Sequence, residues 1–158
     1  MSPLCIVDYR PEHQPHFERL NRAWIEKFFW IEDIDLFVLQ QPETALLQPG
    51  GAILMATWNG AVAGTVALRK VDSHTYEFTK MAVDEDFRRK GIAEALSRAA
   101  FKKAKGLGAR TVILYSQTGL AGAIALYRKL GFREVPIEQG VYKRSNIKME
   151  IDLSLVNI

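Results

Sequence analysis

The stretch YEFTKMAVDEDFRRKGIA, residues 76–93, carries most of the information in this chain. Its first half is rich in β-branched and aromatic residues, Tyr76, Phe78, Thr79 and Val83, and predicts a strand. An acidic turn, Asp84-Glu85-Asp86, and a basic run, Arg88-Arg89-Lys90, follow it. Gly91 and Ala93 then open a helix-forming segment. A strand, a tight loop of small residues and a helix N-terminus together suit a pyrophosphate. The backbone can come close, the first-turn N–H groups lack partners, and the helix dipole is positive there. The cations beside the loop add charge. The glycine spacing matches neither a Walker loop nor a dinucleotide fingerprint.

The spacing Arg88-x-x-Gly91-x-Ala93 instead resembles the [R/Q]-x-x-G-x-[G/A] loop of the GNAT N-acetyltransferases, which bind acetyl-CoA. Other segments extend the resemblance in the right order. Glu77–Val83 looks like the family's fourth strand. Ala123-Ile124-Ala125-Leu126-Tyr127-Arg128-Lys129-Leu130-Gly131-Phe132 is similar to its second signature, A-I-x-L-Y-x-K-x-G-F, and Ile147–Leu153 resembles its closing strand. The resemblance covers roughly residues 52–154.

Composition is that of an ordinary globular protein. The chain has 158 residues, 48% apolar and 25% charged, enough to bury one core. It is read as a single domain over residues 1–158. No apolar run is long enough for a membrane helix. Asp8, Arg10 and Glu12 arrive too early for a signal peptide, so a cytoplasmic protein without membrane association is expected. The one cysteine, Cys5, offers no disulfide framework and fits a reducing compartment. Its apolar neighbours predict a buried, inert thiol. A net charge of +3 is too small to argue for a nucleic-acid partner and suits an anionic cofactor. The cations Arg98, Lys102, Lys103 and Lys105 read as a solvated face near a helix end. His13, His16 and His74 lack the spacing of a metal site, and none is expected.

Strands are expected at Leu4–Tyr9, Ala52–Trp58, Ala61–Val71, Tyr76–Val83, Arg110–Tyr115, Phe132–Ile137 and Asn146–Leu155. Asn59-Gly60 is a hairpin turn between two of them. Helices are expected from Pro11 to about Phe29, at Asp33–Leu39, Gly91–Lys105 and Gly119–Leu130, with a loop over Gln40–Gly51. A meander followed by a β-α-β-α-β tail implies an α/β fold, a mixed sheet covered by helices. The GNAT fold implied by the resemblance has that order. Its mostly antiparallel sheet is splayed between the fourth and fifth strands, where the cofactor binds.

Acyl transfer from a thioester to an amine needs a held cofactor, a neutral amine, a stabilised oxyanion and a proton for the leaving thiolate. By resemblance, main-chain groups of Arg88, Arg89, Lys90, Gly91, Ile92 and Ala93 take the pyrophosphate. Met81, Ala82 and Val83 run beside pantetheine, and one strand N–H polarises the thioester carbonyl. Gln117 and Ala123 complete the cofactor set. Tyr127 is the candidate general acid, the alternative being an ordinary packed aromatic beside Ile124 and Leu130. Glu77 is the candidate base, the alternative being a solvated strand residue or one salt-bridged to Lys80 or a neighbour. Alternation places Glu77, Thr79 and Met81 on one face and Phe78, Lys80 and Ala82 on the other. Trp24, Phe28, Tyr142 and Asn146, with Phe29, Trp30 and Arg144, are candidates for the acceptor side. Two features depart from the family pattern: Ser116-Gln117 and Leu120 stand where asparagines are frequent, and the loop ends Gly91-Ile92-Ala93 rather than Gly-x-Gly. The reading is an N-acetyltransferase with acetyl-CoA as cosubstrate, a small-molecule or peptide amine as acceptor, and a homodimer among its oligomeric forms. The alternatives are a non-catalytic acyl-CoA sensor on the same fold and a nucleic-acid-binding module.

Overall fold

A computed structural model of the chain describes residues 2–138 and 143–158. Seven strands form one sheet: β1 (Leu4–Asp8), β2 (Ala52–Trp58), β3 (Ala61–Lys70), β4 (Thr75–Val83), β5 (Thr111–Ser116), β6 (Arg133–Val135) and β7 (Ile147–Asp152). Their order across the sheet is β1-β2-β3-β4-β5-β7-β6. Every neighbouring pair is antiparallel except β4 and β5, which run parallel. The helices are α1 (Gln14–Phe28), α2 (Asp33–Gln40), α3 (Ile92–Gly106) and α4 (Ala121–Leu130). Asn59 and Gly60, at φ 49° and 85°, make the turn joining β2 to β3, as two left-handed centres require.

The sheet buries both faces. On one, Leu96, Ala100 and Phe101 of α3 and Leu130 of α4 pack with Leu54, Leu68, Phe78, Val112 and Met149. On the other, Phe17 of α1 and Leu39 of α2 cover Ile53, Met55 and Ala67. The expected Gln40–Gly51 loop holds a wide helical turn, Glu43–Leu47, whose Leu46 joins this second core. The last two strands are shorter than expected, and Asp152 ends β7 by accepting the Ser154 amide. Cys5 is exposed, which corrects the buried thiol expected from its neighbours. It lies on the edge strand β1, where Leu4 and Ile6 take the inward positions and Cys5 takes an outward one.

The alternation along β4 is also corrected. In the β3–β4 ladder Thr65 pairs with Ala82 but Ala67 pairs with Thr79, so Lys80 and Met81 together oppose Val66. Lys80 is left-handed, φ 54°, the mark of a β-bulge. The extra residue swaps the faces downstream. Met81 and Val83 pack with Phe78 against the α3 core, while the Lys80 side chain reaches Asp35 of α2 on the opposite face.

Candidate functional site

The sheet opens where β4 and β5 part. The two strands pair only from Thr75–Glu77 to Thr111–Ile113. Beyond that point β5 stays bound to β7, and the β4 edge from Phe78 onward has no β5 partner. A cavity of about 550 Å³ fills the gap. Its walls come from the open half of β4, the end of β5, the α4 N-terminus and the aromatic C-terminus of α1.

At one end stands the loop before α3. Arg89 and Gly91 are both left-handed, φ 63° and 76°, and curl the chain into the helix. Gly91 occupies the N-cap position with no side-chain cap, so the first-turn amides of Ile92, Ala93 and Glu94 have no helical acceptor. A Cβ built on Gly91 would meet nothing within 4 Å, so the space beside the loop is open. Open space, unpaired amides and the positive end of a 15-residue helix fit an anionic diphosphate. Arg88 and Ala93 line the cavity. Lys90 turns away, its Nζ 4.7 Å from the Trp58 ring centroid. Ile92 is buried against the α3 core, which leaves it a main-chain role only.

Midway along the cavity lie Met81, Ala82 and Val83 on the β4 side and Gln117, Ala123 and Tyr127 opposite. The Tyr127 ring stacks edge-on with Phe78 at 5.9 Å and Phe132 at 5.8 Å. Among the described residues its hydroxyl makes no hydrogen bond, and burial alone pushes it up to about 12. It stays protonated at any physiological pH. Leu120, at the α4 N-cap, gives no side-chain cap, as expected of a leucine where asparagine is frequent. Gln117 braces the loop instead: its amide donates to the Arg144 carbonyl and its Oε1 accepts from Gly119 N.

At the far end Glu77 lines the cavity while buried to 1% exposure. Its Oε1 accepts from Arg69 Nε at 2.8 Å, so the candidate base is an ion-paired strand residue as well. Trp24, Phe28 and Phe29 supply the apolar wall here, with Phe28 half exposed at the rim. Trp30 lies outside the wall and is exposed. Asn146 does not line the cavity; its side chain accepts from Thr118 N and donates to Thr118 Oγ1, fixing the turn before α4. Tyr142 lies outside the described residues. No group of three or more metal-ligating side chains gathers among the described residues.

A buried ionic cluster beside Glu77 was not foreseen. Asp35, fully buried, accepts from Lys80 Nζ at 2.8 Å and from both Arg144 Nη atoms at 2.6 and 2.9 Å. It also accepts the Glu32 amide at 3.0 Å, and Arg144 reaches Glu32 Oε2 at 2.9 Å. Burial pushes the Asp35 carboxyl up, but Arg144, Lys80 and the Glu32 amide outweigh it and bring it down to about 2. The Lys80 ammonium is pushed down, chiefly by burial, with the like charge of Arg144 adding to it. The two directions are compatible: Asp35 has two cations and an amide on one carboxylate, whereas Lys80 must share that carboxylate. Lys80 and Arg144 both line the cavity.

The comparisons agree with this geometry. The sequence profile of the Acetyltransferase (GNAT) family matches residues 9–132. The uncharacterized N-acetyltransferase YvbK of Bacillus subtilis (strain 168) is 30% identical over 113 residues, 70% of this chain and 73% of that protein. The N-acetylaspartate synthetase of Rattus norvegicus is 38% identical over 88 residues, 55% of this chain, and the match spans only 29% of the rat protein. An acetyltransferase of GNAT family from Staphylococcus aureus Mu50 superposes with a TM-score of 0.85 over 95% of this chain and 99% of that one, at 21% identity. The structure of yncA from Salmonella typhimurium with its cofactor acetyl-CoA superposes with a TM-score of 0.75 over 96% and 95% of the two chains, at 15% identity. On this sequence match, the chain belongs to the GNAT family of acetyltransferases.

Proposed function

We propose that residues 1–158 act as one N-acetyltransferase unit, moving an acetyl group from acetyl-CoA to a primary amine by direct attack in a ternary complex. The observation that supports it most is the continuous cavity that runs from the α3 N-terminus to Glu77, past the open β4 edge and Tyr127. Acetyl-CoA, when bound, supplies an activated thioester acyl group. The first-turn amides of α3 hold its pyrophosphate, and the β4 edge aligns its pantetheine arm and polarises the carbonyl. Glu77, directly or through water, takes the proton of the acceptor amine. A C–N bond forms, the C–S bond breaks, and Tyr127 gives its proton to the departing thiolate. Burial disfavours the Tyr127 phenolate, so the hydroxyl keeps its proton until a thiolate leaves beside it.

Thiol release from acetyl-CoA against a panel of amines tests this reading. The relatives named N-acetylaspartate synthetase put amino acids, aspartate first, at the head of the panel. Because Cys5 is exposed, Cys5→Ser removes its background from thiol detection. Acetyl-CoA binding with no release above hydrolysis for any amine would favour an acyl-CoA sensor. Light scattering on the same preparation reads whether the unit is a homodimer. A cytosolic setting suits a lone accessible thiol.

A further inference from the structure

Lys80 occupies a conformation that glycine normally fills. It is the left-handed first residue of the β4 bulge, φ 54°, with its Cβ in a region that L-residues adopt at a steric cost. Its neighbour Met81 shares the bulge, and both border the cavity along the stretch of β4 that has no β5 partner. The long side chain is not left to solvent. It is 3% exposed, and its ammonium meets Asp35 at 2.8 Å. Asp35 is fixed in turn by the fork of Arg144 and by the Glu32 amide at the start of α2. A strained backbone residue persists only where its surroundings over-determine it, and this anchor supplies the determination.

We infer that the Lys80–Asp35 pair is a positioning device that holds the β4 bulge in register, so that the main chain at Lys80–Met81 meets the thioester carbonyl in the geometry of the transition state. This rests on the acetyltransferase reading above. Lys80 and Asp35 act through the backbone, not on the reacting atoms. An error in the placement of that donor falls on the chemical step more than on cofactor affinity, whose main anchor is the distant α3 loop.

The test separates the side chain from the conformation it holds. Lys80→Ala removes the anchor and keeps the steric cost of the left-handed residue. Lys80→Gly removes the same anchor and the cost with it. Lys80→Ala should lose roughly tenfold to a hundredfold in kcat with the acetyl-CoA KM within about twofold, and Lys80→Gly should recover most of that loss. Asp35→Asn should resemble Lys80→Ala; where Lys80→Ala does not fold, Lys80→Met, which keeps the buried stem, removes the charge and leaves Asp35 held by Arg144, replaces it. A second reading needs no turnover: the infrared band of bound acetyl-CoA labelled with carbon-13 at the thioester carbonyl. The band should move toward its free-solution frequency in Lys80→Ala and hold its wild-type position in Lys80→Gly. A Lys80→Ala protein with wild-type kcat and band, or a folded Lys80→Gly protein as slow as Lys80→Ala, overturns the inference. Failure of the wild type to bind acetyl-CoA overturns the acetyltransferase reading itself, and this one with it.

Discussion

At the scale of single residues, Tyr127 and Glu77 meet the cavity in opposite electrostatic settings. Tyr127 is enclosed by Phe78 and Phe132, without a charge to lean on, and its hydroxyl is raised to about 12 by burial. Tyr127→Phe keeps those ring contacts and removes the proton. We expect kcat to fall by roughly ten- to a thousandfold, the scale of general acid catalysis, with acetyl-CoA affinity unchanged by titration calorimetry. Equal kcat with chemistry rate-limiting would reduce Tyr127 to packing. Glu77 lies beside Arg69, which is accessible enough for water to solvate it if the carboxylate is lost. Glu77→Gln should slow the reaction near neutral pH and recover in part at high pH, where more acceptor amine is already neutral. The acidic limb of the kcat/KM profile should move with it; a profile unchanged in height and shape would assign deprotonation to solvent or another group. That both residues line the cavity was legible in the sequence because each sits in a local motif. The Lys80–Asp35–Arg144 cluster was not, because its members come from β4, α2 and the segment before β7, and no periodicity links them.

At the scale of elements, the strand and helix order was readable because each segment announces itself locally. Asn59-Gly60 has the chemistry its turn demands, and the spacing of Phe17, Leu20, Trp24 and Phe28 announces α1, although Ile25 joins Phe17 and Leu20 in the interior while Trp24 and Phe28 line the cavity. The bulge in β4 escaped because strict alternation is the default for a strand, and a lysine gives no hint of a left-handed residue. The α3 loop carries the sharpest prediction at this scale. Gly91→Glu places a carboxylate in the open space where an anion is expected, at φ 76°. Acetyl-CoA affinity should fall steeply in a folded protein; unchanged affinity by calorimetry would refute the loop as the cofactor anchor. The body of α3 carries the core. Phe101 is 1% exposed and packs against Phe78 and Phe132 at 6.5 and 5.6 Å between ring centroids. Phe101→Ala should cost about 3–5 kcal/mol in denaturant unfolding, since a cavity that size cannot fully collapse.

At the scale of the whole molecule, the two cores lie on opposite faces of one sheet, and the parted strands leave a site between them that neither core closes. The ionic cluster spans this weak region, joining α2 to β4 and to the chain entering β7. Its electrostatics predict how the fold responds to acid. The Asp35 carboxyl falls from an ordinary 3.8 to about 2 in the folded protein, so the folded state binds its proton less readily than the unfolded chain does. A depressed carboxylate stabilises the fold fully above its unfolded value. That contribution is lost as pH falls from about 4 through 2, and its size is at most about 2–3 kcal/mol. Other carboxylates are also lowered by their partners, among them Glu18, Glu85 and Glu94, so total acid sensitivity is shared. Comparison with Asp35→Asn isolates the one residue. The variant should be less stable at pH 7, by about 3–5 kcal/mol, because buried Lys80 and Arg144 lose the carboxylate they share, although Arg144 keeps Glu32. Between pH 4 and 2 its stability should fall less steeply than that of the wild type, since no carboxyl at position 35 remains to be protonated. Parallel slopes in urea titrations across that window would mean that the cluster's charges are solvated or rearranged in solution, and that α2 is held to the sheet by its apolar side alone.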